Sequence, residues 1–369
     1  KVALFNWFLF SASFFFLLQC YGSGFSSAQR LWMYALGVSL PTVASFMIPY
    51  TEAVFFFSGM LWLCGLKRHN LFLLAVGGVL LGLSRPAVNI IIVGMLCVLL
   101  VRLIATRQGW RLLRDALATI LPIVVGVGIS IWFQMEAGKP AFYFMQVQRE
   151  VWEHGFSIPG KLNTWSPEGQ ALELFAVFSI GACLLYDLLS KSYRILGALI
   201  SGSGLGLRRV SLPEIQYIEM FLSAVLLGQI IVIVFWQHSN IHGMMRYEFA
   251  NPFFYAWSVL KLRTVWQYTF QSRMALLGGL LTITLIAWLL VAGNDPQAMI
   301  YNVNNIPVKG MQIPHNGLPW MMLTFLFAFI LNDIKLKWRI LLFSLVFVTN
   351  AFYVSYLMHA FIARALIWT

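Results

Sequence analysis

The sequence predicts an all-α integral membrane protein, and three observations support this fold class. The 369 residues are 60% hydrophobic and only 10% charged, and the mean hydropathy of +0.79 lies far outside the usual range of soluble domains. Apolar stretches of about 15 to 22 residues recur along the chain, each ended by a short polar or basic loop. These stretches are continuously apolar and do not alternate as barrel strands would. We therefore predict a single polytopic helical domain over 1–369.

Hydropathy divides the chain into about twelve predicted membrane segments. In order, they are 2–19, 30–48, 51–66, 70–84, 87–105, 113–134, 171–190, 214–237, 247–262, 274–292, 317–332 and 340–360. The basic residues collect in alternate loops, which the positive-inside rule predicts to be cytoplasmic. These loops contain Arg30; Lys67 and Arg68; Arg102, Arg107, Arg111 and Arg114; Lys191, Arg194, Arg208 and Arg209; Lys261, Arg263 and Arg273; and Lys335, Lys337 and Arg339.

Two connections are long enough to be considered separately. Segment 135–170 is polar and contains two tryptophans, which predicts an exoplasmic loop with a short amphipathic helix. Segment 191–213 contains "SGSGLGLRR", which predicts a flexible cytoplasmic linker. The opening "KVALFNWFLF" has no initiator Met and does not resemble a signal peptide, so we expect the true start to lie upstream.

The charge and cysteine content argue against nucleic-acid binding and against a disulfide framework. The formal net charge of +12 is spread over short loops without an interleaved aromatic platform, so we expect no nucleic-acid partner. The four cysteines fall within or beside apolar runs, which predicts packing residues and no disulfide framework.

The stretch "PYTEAVFFFSGMLWLCGLKRHN" places Glu52 at the head of an apolar run and a basic cluster at its foot. Segments 51–66 and 70–84 meet at that cluster, and a run of about 15 residues covers only about 22 Å of a hydrocarbon core of about 30 Å. Glu52 and Arg85 are therefore predicted at similar depth inside the membrane. Broken backbone and ionisable groups at such depth must be buried in protein or line a wet cavity, which predicts a polar cavity that opens outward.

A purely structural interpretation also fits these residues. A carboxylate at the first turn of a helix interacts favourably with the helix dipole, and Pro86 suits the first turn of the next helix. A Glu52–Arg85 ion pair could simply satisfy its own two charges.

The same residues resemble the PIG-V-like mannosyltransferase family of the GT-C superfamily. "PYTEAVF", the basic turn and "GLSRPAVN" are similar to that family's motifs, and "MMRYEFANPFFYAW" is similar to a stretch near the late helices of such enzymes. The resemblance covers about residues 29–105 and 246–257. It implies a GT-C-like fold that transfers a mannose-like sugar, with inversion, from a polyprenyl-phosphate donor to an acceptor glycan, lipid or protein on the extracytoplasmic face.

The resemblance also implies an acidic base in the first exoplasmic loop, usually an Asp. No Asp precedes Asp115 here, so we expect the first helix of the family and its acidic loop to lie upstream of Lys1. The alternative catalytic candidates are Glu52, Glu150 and Glu153. The donor already carries a phosphate leaving group, and we therefore expect no metal and no cofactor.

Five residues are candidates for binding the phosphate of the donor. Arg85 lies at the end of a broken helix, and Arg246 begins a membrane helix where a cation opposes the helix dipole. The others are Arg149, His242 and Tyr50. Bland alternatives stay open for most of them: a snorkelling arginine at 246, a solvated face for "QREVWEHG", and ordinary interfacial histidines at 238 and 242, which lack the third ligand of a zinc site.

Two other functions stay open at this stage. A cavity with Arg and Glu would also suit a transporter or flippase of a lipid-linked or anionic solute, and a surface-polysaccharide polymerase or ligase is a further alternative. The absence of an N-x-S/T sequon favours a bacterial cytoplasmic membrane, with the site on its outer face, over the endoplasmic reticulum. Membrane lipids are expected partners, and the sequence does not identify a partner subunit.

Overall fold

The computed structural model describes residues 2–47, 51–85, 88–106, 108–150, 155–162, 172–201, 213–237, 241, 244–291, 302–303, 306–307 and 317–362. The α-helices in this part of the chain are α1 (Val2–Tyr21), α2 (Ser27–Ser39), α3 (Ala44–Met47), α4 (Glu52–Arg68), α5 (Leu71–Ser84), α6 (Val88–Thr106), α7 (Gly109–Glu136), α8 (Tyr143–Glu150), α9 (Gly181–Ser201), α10 (Glu214–Trp236), α11 (Met244–Phe249), α12 (Pro252–Val265), α13 (Phe270–Val291), α14 (Gly317–Ile330) and α15 (Leu336–Ile362). A 3₁₀ turn, Pro41–Val43, precedes α3, and a π-helical stretch, Phe175–Ile180, leads into α9. Two short antiparallel strands, β1 (Asn302–Val303) and β2 (Ile306–Pro307), form the described sheet.

The fold is that of a helical membrane protein, as predicted, although the count of about twelve spans is not confirmed. Within the described residues, seven helices are long and apolar enough to cross a membrane, and up to eight if a bent pair counts as one span. The predicted segments coincide with helices, but several of those helices are short. For example, α5 has 14 residues and α12 has 14, or about 21 Å each.

Pro41 explains why predicted segment 30–48 is not one helix. Pro41 begins a 3₁₀ turn after α2, because a proline inside a helix removes a backbone donor and clashes with the preceding turn. The segment Pro41–Met47 then makes an angle of 104° with α4. The chain therefore enters α4 from the side, and Glu52 is the first residue of that helix.

Close packing of α4, α5 and α7 fixes the central part of the bundle. A Cβ added to Gly126 on α7 would lie 2.1 Å from the backbone oxygen of Val79, and one added to Gly82 on α5 would lie 2.2 Å from that of Ile123. The two backbones thus touch where both residues are glycine. The indole Nε1 of Trp62 on α4 donates to the carbonyl of Thr119 on α7 at 3.1 Å, which ties the third helix to this pair.

Basic groups gather at the end of the bundle opposite Glu52. The Lys67 ammonium, at the end of α4, donates to the carbonyl of Cys20 at 2.7 Å, and the Arg263 guanidinium near the end of α12 packs on Gly24. His69 ends α4 in a left-handed conformation, with φ of 52°, and its Nε2 lies 3.2 Å from Glu214 at the start of α10. Which side of the membrane this end faces stays a prediction.

The two predicted connections differ from expectation in extent. Residues 191–201 are not a linker, because α9 continues to Ser201; Lys191 is buried and pairs with Asp187 one turn earlier on the same helix. Residues 202–212 lie outside the described part. In 135–170, the described helix is α8, Tyr143–Glu150, and the Gly155 amide donates to the carbonyl of Trp236 at 3.0 Å.

We predict that Gly126→Ala destabilises the protein, because the added methyl group must push α5 and α7 apart. Overpacking of this kind costs about 1–3 kcal/mol, and we expect a lower melting temperature for the purified protein in detergent. Gly128→Ala is the matched control, since nothing lies within 4 Å of a Cβ at Gly128. Equal melting temperatures for the two variants would contradict the proposed close contact.

Candidate anion-binding site at the broken helices

Glu52 lies at the centre of a buried ionic cluster. Its side chain is fully buried at the first turn of α4, where the helix dipole favours a negative charge. Both Arg85 Nη2 and Arg246 Nε donate hydrogen bonds to the same carboxylate oxygen, Glu52 Oε1. One acid and two guanidinium groups from three separate elements therefore meet at one atom; we call these three residues the Glu52 triad.

Helix ends bring the two arginines to Glu52. Arg85 is the residue that caps α5, with extended backbone (φ −153°, ψ 144°), so its side chain leaves the helix at its last turn. Arg246 lies on the short helix α11, between the much longer α10 and α12. The predicted Glu52–Arg85 pair is thus confirmed, and Arg246, which was predicted separately, joins it.

Asparagine capping fixes the position of α11 and therefore of Arg246. Asn251 Oδ1 accepts from the amide of Phe253 at 2.9 Å, as an N-cap of α12. The Asn251 Nδ2 group donates to Gln229 Oε1 at 2.8 Å, and Gln229 Nε2 donates to the carbonyl of Tyr247 at 3.0 Å. These bonds tie α11 to both neighbouring helices, which leaves Arg246 little freedom to move away from Glu52.

Aromatic rings cover the guanidinium groups. The Arg85 guanidinium carbon lies 5.1 Å from the centroid of the Phe55 ring and 5.9 Å from that of Tyr247, and Arg246 lies 5.5 Å from Tyr247. Cation–π contacts at these distances are attractive, more so where water is excluded. Phe55 and Tyr247 were not predicted as site residues, although "RYE" places Tyr247 beside Arg246 in the sequence.

Within the Glu52 triad, two guanidinium groups meet one carboxylate oxygen. The Arg85 and Arg246 side chains are only 10% and 14% exposed. The second oxygen, Glu52 Oε2, is buried and accepts no hydrogen bond from the described residues. The arrangement suits an anionic ligand with a nearby hydroxyl donor.

The other predicted site residues do not join the triad among the described residues. Arg149 and Glu150 lie on the exposed helix α8, where Glu150 accepts hydrogen bonds from Gln146 Nε2 at 3.0 and 3.1 Å. Their solvated position agrees with the interpretation of that segment as a solvent-exposed helix face. Tyr50, His242 and Glu153 lie outside the described residues.

Three buried acids, Glu173, Asp187 and Glu248, were missed at the sequence level. Glu248, two residues after Arg246, is fully buried, and neither of its oxygens has a hydrogen-bond partner among the described residues. A single Glu in an apolar stretch carries no signal that would separate it from an interfacial residue. No group of three or more His, Cys, Asp or Glu side chains in the described part could hold a metal ion.

Comparison with known proteins adds no assignment. No protein-family model, no curated protein and no solved structure matches this chain. The likeness to the PIG-V-like family therefore rests on the motifs alone.

We predict that Glu52→Gln lowers the free energy of unfolding by about 3–5 kcal/mol, because it removes the carboxylate charge that two nearly buried guanidinium groups share. Chemical unfolding in detergent measures the change. The double variant Glu52→Gln/Arg246→Gln should lose less than the sum of the two single variants, since both remove one shared interaction. Glu150→Gln, on the exposed α8, is the control and should leave stability unchanged. A Glu52→Gln variant as stable as the parent would show that the triad is not the buried ionic cluster described here.

Proposed function

We propose that the protein is an integral-membrane glycosyltransferase of the GT-C type, which moves a mannose-like sugar from a polyprenyl-phosphate donor to an acceptor on the extracytoplasmic face. One observation carries the proposal: Arg85 and Arg246 converge, nearly buried, on a single carboxylate oxygen. The motifs "PYTEAVF" and "GLSRPAVN", which contain Glu52 and Arg85, support it independently through their resemblance to the PIG-V-like family.

The two guanidinium groups suit the leaving group of such a reaction. Attack of the acceptor hydroxyl on the anomeric carbon forms the new C–O bond as the bond to the phosphate oxygen breaks, and the released polyprenyl phosphate takes the bonding electron pair. Negative charge therefore develops on phosphate oxygens. Arginine donates to phosphate in a fixed fork geometry, and such donors act most strongly in a site that excludes water.

Glu52 has two roles in this proposal. Its Oε1 holds Arg85 and Arg246 in place, and this preorganisation spares the site from reorganising as charge develops. Its Oε2 has no partner among the described residues and can accept a hydrogen bond from a sugar or acceptor hydroxyl. The proton of the attacking hydroxyl goes to a carboxylate base, for which Glu153 and Glu150 are the candidates on this chain.

The membrane setting agrees with a lipid-linked donor. A polyprenyl chain is soluble only in the bilayer, so its phosphate must be met at membrane depth by polar groups carried on helices. The short helix α5 ends in Arg85 after about 21 Å, less than the hydrocarbon thickness of about 30 Å. We propose that the headgroup of the donor meets the triad at this depth while its tail stays in lipid.

We predict that Arg85→Ala lowers sugar transfer at least 100-fold, the usual cost of one lost donor to a developing negative charge. Arg85→Lys keeps the charge but loses the fork geometry, and it should reduce kcat while the melting temperature stays near that of the parent. The assay measures transfer of radiolabelled sugar from a polyprenyl-phosphate donor by the purified protein in detergent.

Arg111→Ala is the control for this experiment, because Arg111 is an exposed arginine near the start of α7, away from the triad. Reconstituted vesicles with the same labelled donor test the transporter alternative. Movement of the donor across the vesicle membrane without sugar transfer, abolished by Arg85→Ala, would overturn the proposed function.

A further inference from the structure

A second polar cluster lies inside the bundle, far along the helices from the Glu52 triad. Lys191 Nζ lies 2.7 Å from Glu219 Oε2, and Lys261 Nζ lies 3.2 Å from the same oxygen. Both ammonium groups also contact Asp187 Oδ1, and Ser223 Oγ donates to Asp187 Oδ2 at 2.8 Å. The cluster joins α9, α10 and α12, at the end of the bundle where the basic loops gather.

This cluster forms one end of a cavity of about 580 Å³, a volume within the range of small-molecule sites. The remaining wall is mostly apolar and aromatic, and includes Phe14, Ile180 and Phe325. Ile180 and Lys191 both line it and belong to one continuous helix, Leu172–Gly197, so the wall runs about 16 Å along the bundle. The cavity is therefore amphipathic, with a charged end and a long apolar end.

The charged end of the cavity contains three cationic side chains and two carboxylates. The two carboxylates of the cluster are matched by its two ammonium groups, whereas Arg194, which also lines the cavity, has no ion-pair partner among the described residues. Arg194 is exposed and lies one turn of α9 beyond Lys191. A guanidinium in this position can bind the phosphate of a headgroup.

The apolar part of the wall contains a buried hydrogen-bond donor that has no acceptor among the described residues. Trp257 lines the cavity and is only 7% exposed, and its indole Nε1 has no hydrogen-bond partner among the described residues. Trp257 and Lys261 are four residues apart on α12 and share a helix face, about 6 Å apart along the axis. A buried N–H without an acceptor is costly, and the ester carbonyl of a bound lipid would supply one.

We propose that this cavity binds an anionic glycerophospholipid, with the phosphate at Arg194, an ester carbonyl at Trp257 Nε1 and an acyl chain along the apolar wall. The inference is independent of the proposed sugar transfer, because it uses none of the residues of the Glu52 triad. The ester distinguishes this occupant from a polyprenyl phosphate, which shares the phosphate but has no carbonyl.

Native mass spectrometry of the full chain, released from detergent after titration with defined lipids, tests the proposal. We expect retention of phosphatidylglycerol, with diacylglycerol and inorganic phosphate retained at least about tenfold more weakly, since each lacks one half of the ligand. Arg194→Gln should weaken phosphatidylglycerol binding about tenfold, the cost of a hydrogen bond to a charged group. Trp257→Phe removes the N–H and keeps an aromatic ring, and should weaken it about fivefold.

Arg111→Gln is the matched control: it removes an exposed arginine that does not line the cavity, and it should leave lipid retention unchanged. Three results would overturn the proposal. They are equal retention of diacylglycerol, loss of binding in Arg111→Gln as large as in Arg194→Gln, and polyprenyl phosphate binding that exceeds phosphatidylglycerol binding and ignores Trp257→Phe. A fall in melting temperature of either variant without lipid, measured in parallel, separates misfolding from lost binding.

Discussion

The shared oxygen of Glu52 is the constraint on which this end of the molecule depends. Arg85 ends α5, Arg246 lies on α11, and both donate to the acid that begins α4. Each of these groups would be expensive to bury alone, so the three elements can end inside the protein only if they end together. The ionic contact thus holds the end of α5 against the start of α4.

Glycine contacts make that contact geometrically possible. Because α5 and α7 touch through Gly82 and Gly126, α5 lies deep against its neighbours and its last residue, Arg85, faces protein instead of lipid. A Cβ on Gly77 would lie 2.5 Å from the backbone nitrogen of Trp62, so α4 approaches α5 just as closely. The triad is therefore held by a tightly packed layer of three helices, and a loose layer would not keep hydrogen bonds from separate helix ends on one oxygen.

How much of this was predictable depends on the range of the interaction. Hydropathy located the helices, and the shared basic turn between α4 and α5 was enough to pair Glu52 with Arg85, because two antiparallel helices of similar length return to the same depth. Arg246 could be flagged as unusual but not attached to Glu52, since nearly 200 residues separate them and no local pattern encodes that contact. The linker prediction at 191–213 failed in part for the same reason. Lys191 was assigned to a loop, whereas in the structure it lies in a buried cluster with Asp187, Glu219 and Lys261, and the last two are distant in sequence. The count of about twelve spans is not confirmed, because Pro41 interrupts segment 30–48 and other apolar segments form helices shorter than 18 residues.

Comparing charges within each buried cluster separates structural ion pairs from binding sites. Around Asp187 and Glu219, two carboxylates meet two ammonium groups and a hydroxyl, and a balanced set of this kind mainly satisfies itself. Around Glu52, one carboxylate oxygen accepts from two guanidinium groups whose side chains are only 10% and 14% exposed. Ionisable groups inside a membrane are costly and often mark a ligand path. This contrast is why we propose the Glu52 triad as the site of sugar transfer, regard the Asp187 cluster as mainly structural, and propose Arg194, at the edge of that cluster, as a cation that binds a ligand.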